Sequence, residues 1–282
     1  MRKTLIFLVL IILMIGVLAP AVTSSDSKNL VICYGETTYN NQEYKNMVDD
    51  FFKANSNVDL NNANVYQVYA ADVNAISSGI SQETYGANDI LSSALIDLND
   101  GNSITISVDS SKITLVTADM YKSALDSAGI TKGHVYVTSP VQATGESALA
   151  GIMKSYEQAT DLQIPDDVKH AANNEIQAES QVVSDSNASG DDVAKVVNDA
   201  KDQVQKDNIT DKDKIVTIIN NICVNNNIQL SEDSVNKLAD AISQSQSVQG
   251  QADEYKNKLN DVIGDDSSSL IDKLFGIFKS NG

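Results

Sequence analysis

Nine of the ten tyrosines lie at or before Tyr156, the tenth is Tyr255, and no Phe, Tyr or Trp stands between those two. A stretch of that length without a large ring has to fill its core with small aliphatic groups packed closely, and narrow apolar stripes on helices do this well. The chain therefore divides near residue 160 into two building styles, each to be read with its own periodicity.

Ahead of both, the chain opens Met1-Arg2-Lys3 and runs apolar almost without a break from Leu5 to Ala19, with small residues at Ala19-Pro20-Ala21. Residues 1–25 are expected to be an export signal. An apolar helix of about 15 residues spans about 22 Å, short of the roughly 30 Å hydrocarbon core, which favours a cleaved signal over a permanent anchor. The expected location is extracellular or at the cell surface. The chain carries 20 basic and 38 acidic residues, and losing Arg2 and Lys3 takes its charge from −18 to −20. Arg2 is the only arginine, so the exported chain has no guanidinium. Nucleic acid is excluded as a partner, because neutralising phosphates takes clustered Lys and Arg.

Two cysteines, Cys33 and Cys223, leave two readings open. In an oxidising compartment they form one disulfide closing a long loop, worth about 4–5 kcal/mol in the chain-entropy model. Otherwise they are two unpaired, buried thiols, since Cys packs as a small hydrophobe.

The front region, residues 28–160, alternates strand and helix signals. Residues 29–35 and 65–69 read as strands, and 42–54 as a helix carrying Tyr44, Met47, Val48, Phe51 and Phe52 at helical spacing. Residues 90–98 and 103–108 flank Asn99-Asp100-Gly101-Asn102 and are expected to form a β-hairpin. A calcium loop is disfavoured there, because Val108 stands where the bidentate glutamate belongs. Residues 113–116 read as a further strand, Thr117 as the cap of a helix ended by Gly129, and 134–138 as a strand. A helix over about 145–159 shows a stripe of Ala148, Gly151 and Ser155 that would let it approach a sheet closely.

From Pro165 onward the period is helical throughout. Ser189-x-x-Asp192 and Thr210-x-x-Asp213 look like capping boxes, Ser231 like the cap of a fourth helix, and Ala252, Tyr255, Leu259 and Val262 mark a fifth. Residues 161–264 are expected to form an antiparallel bundle. Residues 265–282 form an apolar tail, with Leu270, Ile271, Leu274, Phe275, Ile277 and Phe278, expected to dock on the bundle or a partner, or to make weak membrane contact. The fold class is α+β: a mixed β-sheet covered by helices, then a helical bundle.

Several stretches carry a resemblance. Ile90-Leu91-Ser92-Ser93-Ala94, residues 101–108, Ile113-Thr114-Leu115-Val116-Thr117 with Met120-Tyr121 and Ala124-Leu125, and Ala128-Gly129-Ile130 are in the same order as a family signature. Ser139-Pro140, the run from Gly145 to Glu157, Lys169-His170-Ala171-Ala172-Asn173-Asn174-Glu175 and residues 225–235 continue it. On these residues the chain resembles, over roughly 35–263, the exported domain-of-unknown-function family 1002. The resemblance implies an extracytoplasmic protein with an α/β front and a helical back, and it supplies no activity. Cys33, Cys223 and the high asparagine content look like departures from the family, so the disulfide gains nothing from it.

Catalytic constellations are scarce. His134 and His170 are the only histidines, each read as a surface or half-buried residue. Gly145-x-Ser147 lacks the second glycine of a nucleophile elbow, since Leu149 stands there, and is read as a tight helix start. No zinc spacing, Walker loop or dinucleotide fingerprint is present, so no cofactor is expected. The pairs Asp49-Asp50 and Asp166-Asp167 are sequence neighbours that do not face each other on a helix. Asn187-Ala188-Ser189 and Asn208-Ile209-Thr210 fit the N-glycosylation pattern at Asn187 and Asn208. The expectation is an exported or cell-surface binding or structural module with an extracellular or cell-surface partner, more non-enzyme than enzyme. The alternative is an extracellular hydrolase working through two carboxylates in a cleft near the tyrosines, one of them with a raised pKa. A weaker third reading is a surface module stabilised by calcium.

Overall fold

The strand signal at the start of the front region folds as β1 (Leu30–Gly35), with all six residues buried. Its side chains alternate: Leu30, Ile32 and Tyr34 meet Val48 and Phe52 on one face, while Val31 and Cys33 point to the other. In the computed structural model, which describes residues 29–80, 84–99 and 103–264, β1 belongs to a mixed five-stranded sheet. Its other strands are β2 (Asn64–Val68), β3 (Ser93–Asp97), β4 (Ile104–Val108) and β5 (Gly133–Thr138), in the order β2-β1-β3-β5-β4. β1 pairs with β2 and β5 with β4 in parallel, and β3 runs antiparallel to both β1 and β5.

Helices cover both faces. After the short α1 (Glu36–Asn40), α2 (Gln42–Asn55) starts at Asn41, whose side chain accepts from the Glu43 and Tyr44 N–H groups at 3.0 and 3.2 Å. It packs on the face made by Leu30, Ile32, Leu95 and Tyr136. The opposite face receives α5 (Ser147–Thr160), which follows α3 (Ala70–Ser77) and α4 (Ala118–Ser127) in the chain. A Cβ added to Gly151 would sit 3.3 Å from Cys33 Sγ and from Val68, so the small-residue stripe does bring this helix tight against the strands. α4 ends as expected: Gly129 has φ +74°, and Ile130 N–H reaches back to Leu125 C=O at 2.9 Å.

Two front-region expectations fail. β3 and β4 do not form a hairpin: β5 lies between them, bonded to each. An Asp-Gly turn licenses a hairpin only if the facing edge is free, and here the β3 edge pairs with β5 over Ser93–Asp97. Asp100, Gly101 and Asn102 lie outside the described residues, as do the expected signal and the expected apolar tail. Nor is 113–116 a strand of the sheet: it forms a bridge at Ile113 to Ala143, with Thr114 and Val116 N–H donating to the Ala143 and Thr144 carbonyls. This pairing stands beside the sheet and ties the 140s loop to the start of α4.

The helical half comprises α6 (Asp166–Asp185), α7 (Gly190–Lys206), α8 (Lys212–Asn226) and α9 (Glu232–Gly264). Pro165 precedes α6, with Asp166 and Asp167 in its first turn. Ser189 and Asp192 make the expected capping box of α7. At α8 the cap is Asp211 rather than Thr210, with its carboxylate accepting from Asp213 and Lys214 N–H. The stronger acceptor, one residue later, takes the position. Ser231 caps α9 through Ser234 N–H at 3.1 Å.

The expected fourth and fifth helices are one, the 33-residue α9. Its middle, Ser243-Gln244-Ser245-Gln246-Ser247, looks like a connection by composition. It stays helical because it lies along α6: Ser245 donates to Glu175, Gln244 accepts from Asn174, and Val248 and Ala252 are buried. One core joins sheet, α4, α5, α6 and α9, and a second fills the space among α6, α7, α8 and α9 with Val, Ile, Ala and Leu. Cys33 and Cys223 are free thiols in different clusters, the first against α5 and the second among the bundle helices, so the disulfide reading gives way to the buried-thiol one. Burial pushes the Cys33 thiol up to about 12 and raises that of Cys223.

Candidate functional site

A groove of about 870 Å³ lies between α6, the first turns of α9 and the loops of the front region. One wall is a face of α6: Asn174, Gln177 and Gln181 one turn apart, with Ser180 and Ser184 beside them. Lys237 and Asp240 of α9 close one side, and Tyr85, Leu115, Thr144 and Glu146 the other. The ladder between 112–116 and 143–144 fixes Leu115 and Thr144 in that wall. Gly145 makes the turn into α5 at φ +114°, and its carbonyl accepts from the Tyr121 hydroxyl at 2.5 Å, which sets Glu146 in place. A Cβ on Gly145 would stand 2.7 Å from Ile113, so only glycine lets the ladder and the helix start close together.

Charges around this groove are matched with one exception. Lys237 pairs with Asp185 at 3.3 Å and Asp233 at 3.7 Å, and Asp240 pairs with Lys212. Glu146 is only 9% exposed, yet its carboxylate caps no helix N–H and has neither a hydrogen bond nor an ion pair among the described residues. Ser180, at 3% exposure, has a buried hydroxyl without a partner. Native folds seldom leave a buried polar atom unpaired, as Ser180 Oγ is here; Glu146, on another side of the groove, keeps its carboxylate oxygens open to solvent.

Two further buried carboxylates, overlooked in the sequence, sit one turn apart on α6. Glu175 is fully buried and accepts from Ser123 at 2.6 Å, Ser127 at 2.7 Å, Ser245 at 3.0 Å and Lys201 Nζ at 2.7 Å. Four donors from three helices, one of them cationic, hold it as a satisfied carboxylate. Glu179 is equally buried, and neither of its oxygens finds a partner. Burial, and then the charge of Glu175, push its pKa well up, with Lys201 opposing, so it is held as the neutral acid. Both positions fall on the apolar stripe of Val168, Ala172, Ile176 and Val182, a visible sign that they point inward. Neither lines the groove.

A smaller groove of about 390 Å³ between α3, α5 and the start of α6 contains Lys154, Lys169 and His170. Its cations are committed, Lys154 to Asp72 at 2.7 Å and Lys169 to Glu157 and Asp166 at 3.2 and 3.0 Å. His134 lies in β5, stacked on Tyr136 and bonded to Ser107 and to the Tyr136 hydroxyl, far along the chain from His170 and in a different element. Ser147 is buried at the start of α5, as the helix-start reading of Gly145-x-Ser147 expects. Asp49 accepts from the Tyr34 hydroxyl, while Asp50 on the same helix has no part in that bond. Asn187 and Asn208 are exposed in the connections before α7 and α8. Among the described residues, no group of three or more His, Cys, Asp or Glu is placed to hold a metal ion, and no helix is long and apolar enough to cross a membrane.

Comparison with known proteins gives one family and one curated relative. The family model described as "protein of unknown function (DUF1002)" matches residues 34–262. The uncharacterized protein YpuA of Bacillus subtilis (strain 168) is 28% identical over 210 residues, covering 71% of each chain. No solved structure matches.

Proposed function

Since the chain belongs to the DUF1002 family, whose description is protein of unknown function, we propose a function from its own residues: it is an exported, non-enzymatic binding protein that takes its ligand in the groove between α6 and α9. The observation that carries this reading is the pairing pattern of that groove. Its other charges are matched within the chain, whereas the Glu146 carboxylate lines the groove without a bonded partner among the described residues. An unpaired carboxylate in a concave site is a group that a cationic ligand can pair with.

The hydrolase alternative needs two carboxyls in one cleft, one charged and one neutral. It loses support because the carboxyl held neutral, Glu179, lies among the helices and lines neither groove. Export rests on the N-terminal sequence, with its basic start and short apolar run.

The test of export is the intact mass of the protein recovered outside the cell, which should lack about the first 25 residues. For the groove, the purified protein is screened against a library of soluble saccharides, peptides and amines, in parallel with Gln181→Trp, which places a large ring at the exposed groove wall. Ligands retained by the wild type and lost by the variant support the site. Equal retention by both would contradict it.

A further inference from the structure

Building on that groove reading, we infer that the ligand carries a primary ammonium group that pairs with Glu146, on a body whose hydroxyl or amide groups meet the α6 wall. The chain itself shows how it treats a buried carboxylate. Where the role is internal, at Glu175, three hydroxyls and a lysine surround it. Where no donor is supplied, at Glu179, the group is sealed among helices and keeps its proton. Glu146 fits neither pattern: it is 9% exposed, has no donor among the described residues, and lines an open groove.

The start of α5 helps a negative charge there, through the partial positive charge of a helix N-terminus. The Glu146 oxygens are not sealed from solvent, and in the free protein the water of the groove hydrates them. The neighbouring cation, Lys237, is committed to Asp185 and Asp233. No cation lining the groove is left for Glu146, so a cationic ligand can pair with it without breaking an ion pair of the chain.

The surroundings select its kind. Glu146, Asp185 and Asp240 outnumber Lys237 in the groove, and the whole chain carries −18, so anions are repelled and cations concentrated. A bare metal ion is a poor fit, because no group of three His, Cys, Asp or Glu is gathered among the described residues. An ammonium group brings three donors that are met by one carboxylate and scattered hydroxyl or amide oxygens. Thr144 and Gln181, both exposed, supply such oxygens in the walls of the groove.

The test is calorimetric titration of the purified protein with four probes: a glucosamine tetramer, its fully N-acetylated counterpart, a lysine-containing tetrapeptide, and the same peptide acetylated at the lysine ε-nitrogen. At least one free-amine probe should bind, with its acetylated counterpart at least tenfold weaker; which one binds identifies sugar or peptide as the source. Glu146→Gln should weaken that probe at least tenfold while melting like the wild type, and Glu146→Asp, which keeps the charge, should retain more of the binding. No binding by either free-amine probe, equal binding of free and acetylated probes, or no loss in Glu146→Gln would overturn the inference. Loss of a bound probe in Gln181→Trp without loss in Glu146→Gln would overturn the ammonium assignment and leave the groove intact. Unchanged binding in Gln181→Trp would overturn both.

Discussion

Glu175 and Glu179 stand one helical turn apart and show how partners decide what burial does to a carboxyl. Among the described residues Lys201 is the only cation bonded to Glu175, and replacing it by Met leaves three hydroxyls to hold a buried charge. Lys201→Met should lower stability by about 3 kcal/mol, read from denaturant midpoints at unchanged slope. Glu179 works in the opposite direction. Its pKa is raised in the folded state, so the contribution of its proton to stability is full below the unfolded-state value of about 4.3 and is lost as pH rises through the folded value. Glu179→Leu removes an unpartnered buried carboxyl and should stabilise by about 1–3 kcal/mol at neutral pH, with the gain shrinking toward pH 4. A gain independent of pH would contradict the assignment. At the thiols, burial keeps both Cys33 and Cys223 protonated, so alkylation of the native protein should be slow and two thiols should appear on denaturation without reductant.

Elements were legible where the sequence carried local signals. Strand β1, the helical spacing of α2, the capping box at Ser189 and the Gly129 stop depend on residues within a few positions of each other. The Gly129 stop also has a tertiary role: a Cβ there would lie 2.3 Å from the Ala252 carbonyl, so the end of α4 sits against the backbone of α9. Gly129→Ala should cost about 2 kcal/mol or more, since strain at positive φ adds to the clash, and thermal melting checks it. What escaped the sequence was non-local. Asp-Gly suggested a hairpin, but which edge β3 would meet depends on β5, some 40 residues on by chain position (Ser93 pairs with Thr138). The polar middle of α9 carried no helix signal of its own and is held by Ser245, Val248 and the α6 surface. Glu146 was passed over because its isolation is a property of the fold: nothing in Gly145-Glu146-Ser147 says that no donor arrives.

Across the whole molecule, the aromatic boundary near residue 160 marks a change in packing material more than a break in the core. Tyr156, Val135 and Leu149 share one buried cluster with Val168, Ile176, Ala252 and Tyr255. Heat or denaturant should therefore unfold sheet and bundle together, with near- and far-ultraviolet circular dichroism following the same transition; two separated transitions would contradict a shared core. Charge also acts at this scale, since the acidic excess of the whole chain and the unpaired Glu146 both favour a cationic ligand. The most direct test of that claim is a nuclear magnetic resonance titration of the isotope-labelled protein with an ammonium-bearing probe that binds. Saturating shifts should centre on the amides of residues 144–146 and 177–181, and vanish in Glu146→Gln. Shifts confined to the groove of Lys154 and Lys169, or identical in the variant, would contradict it.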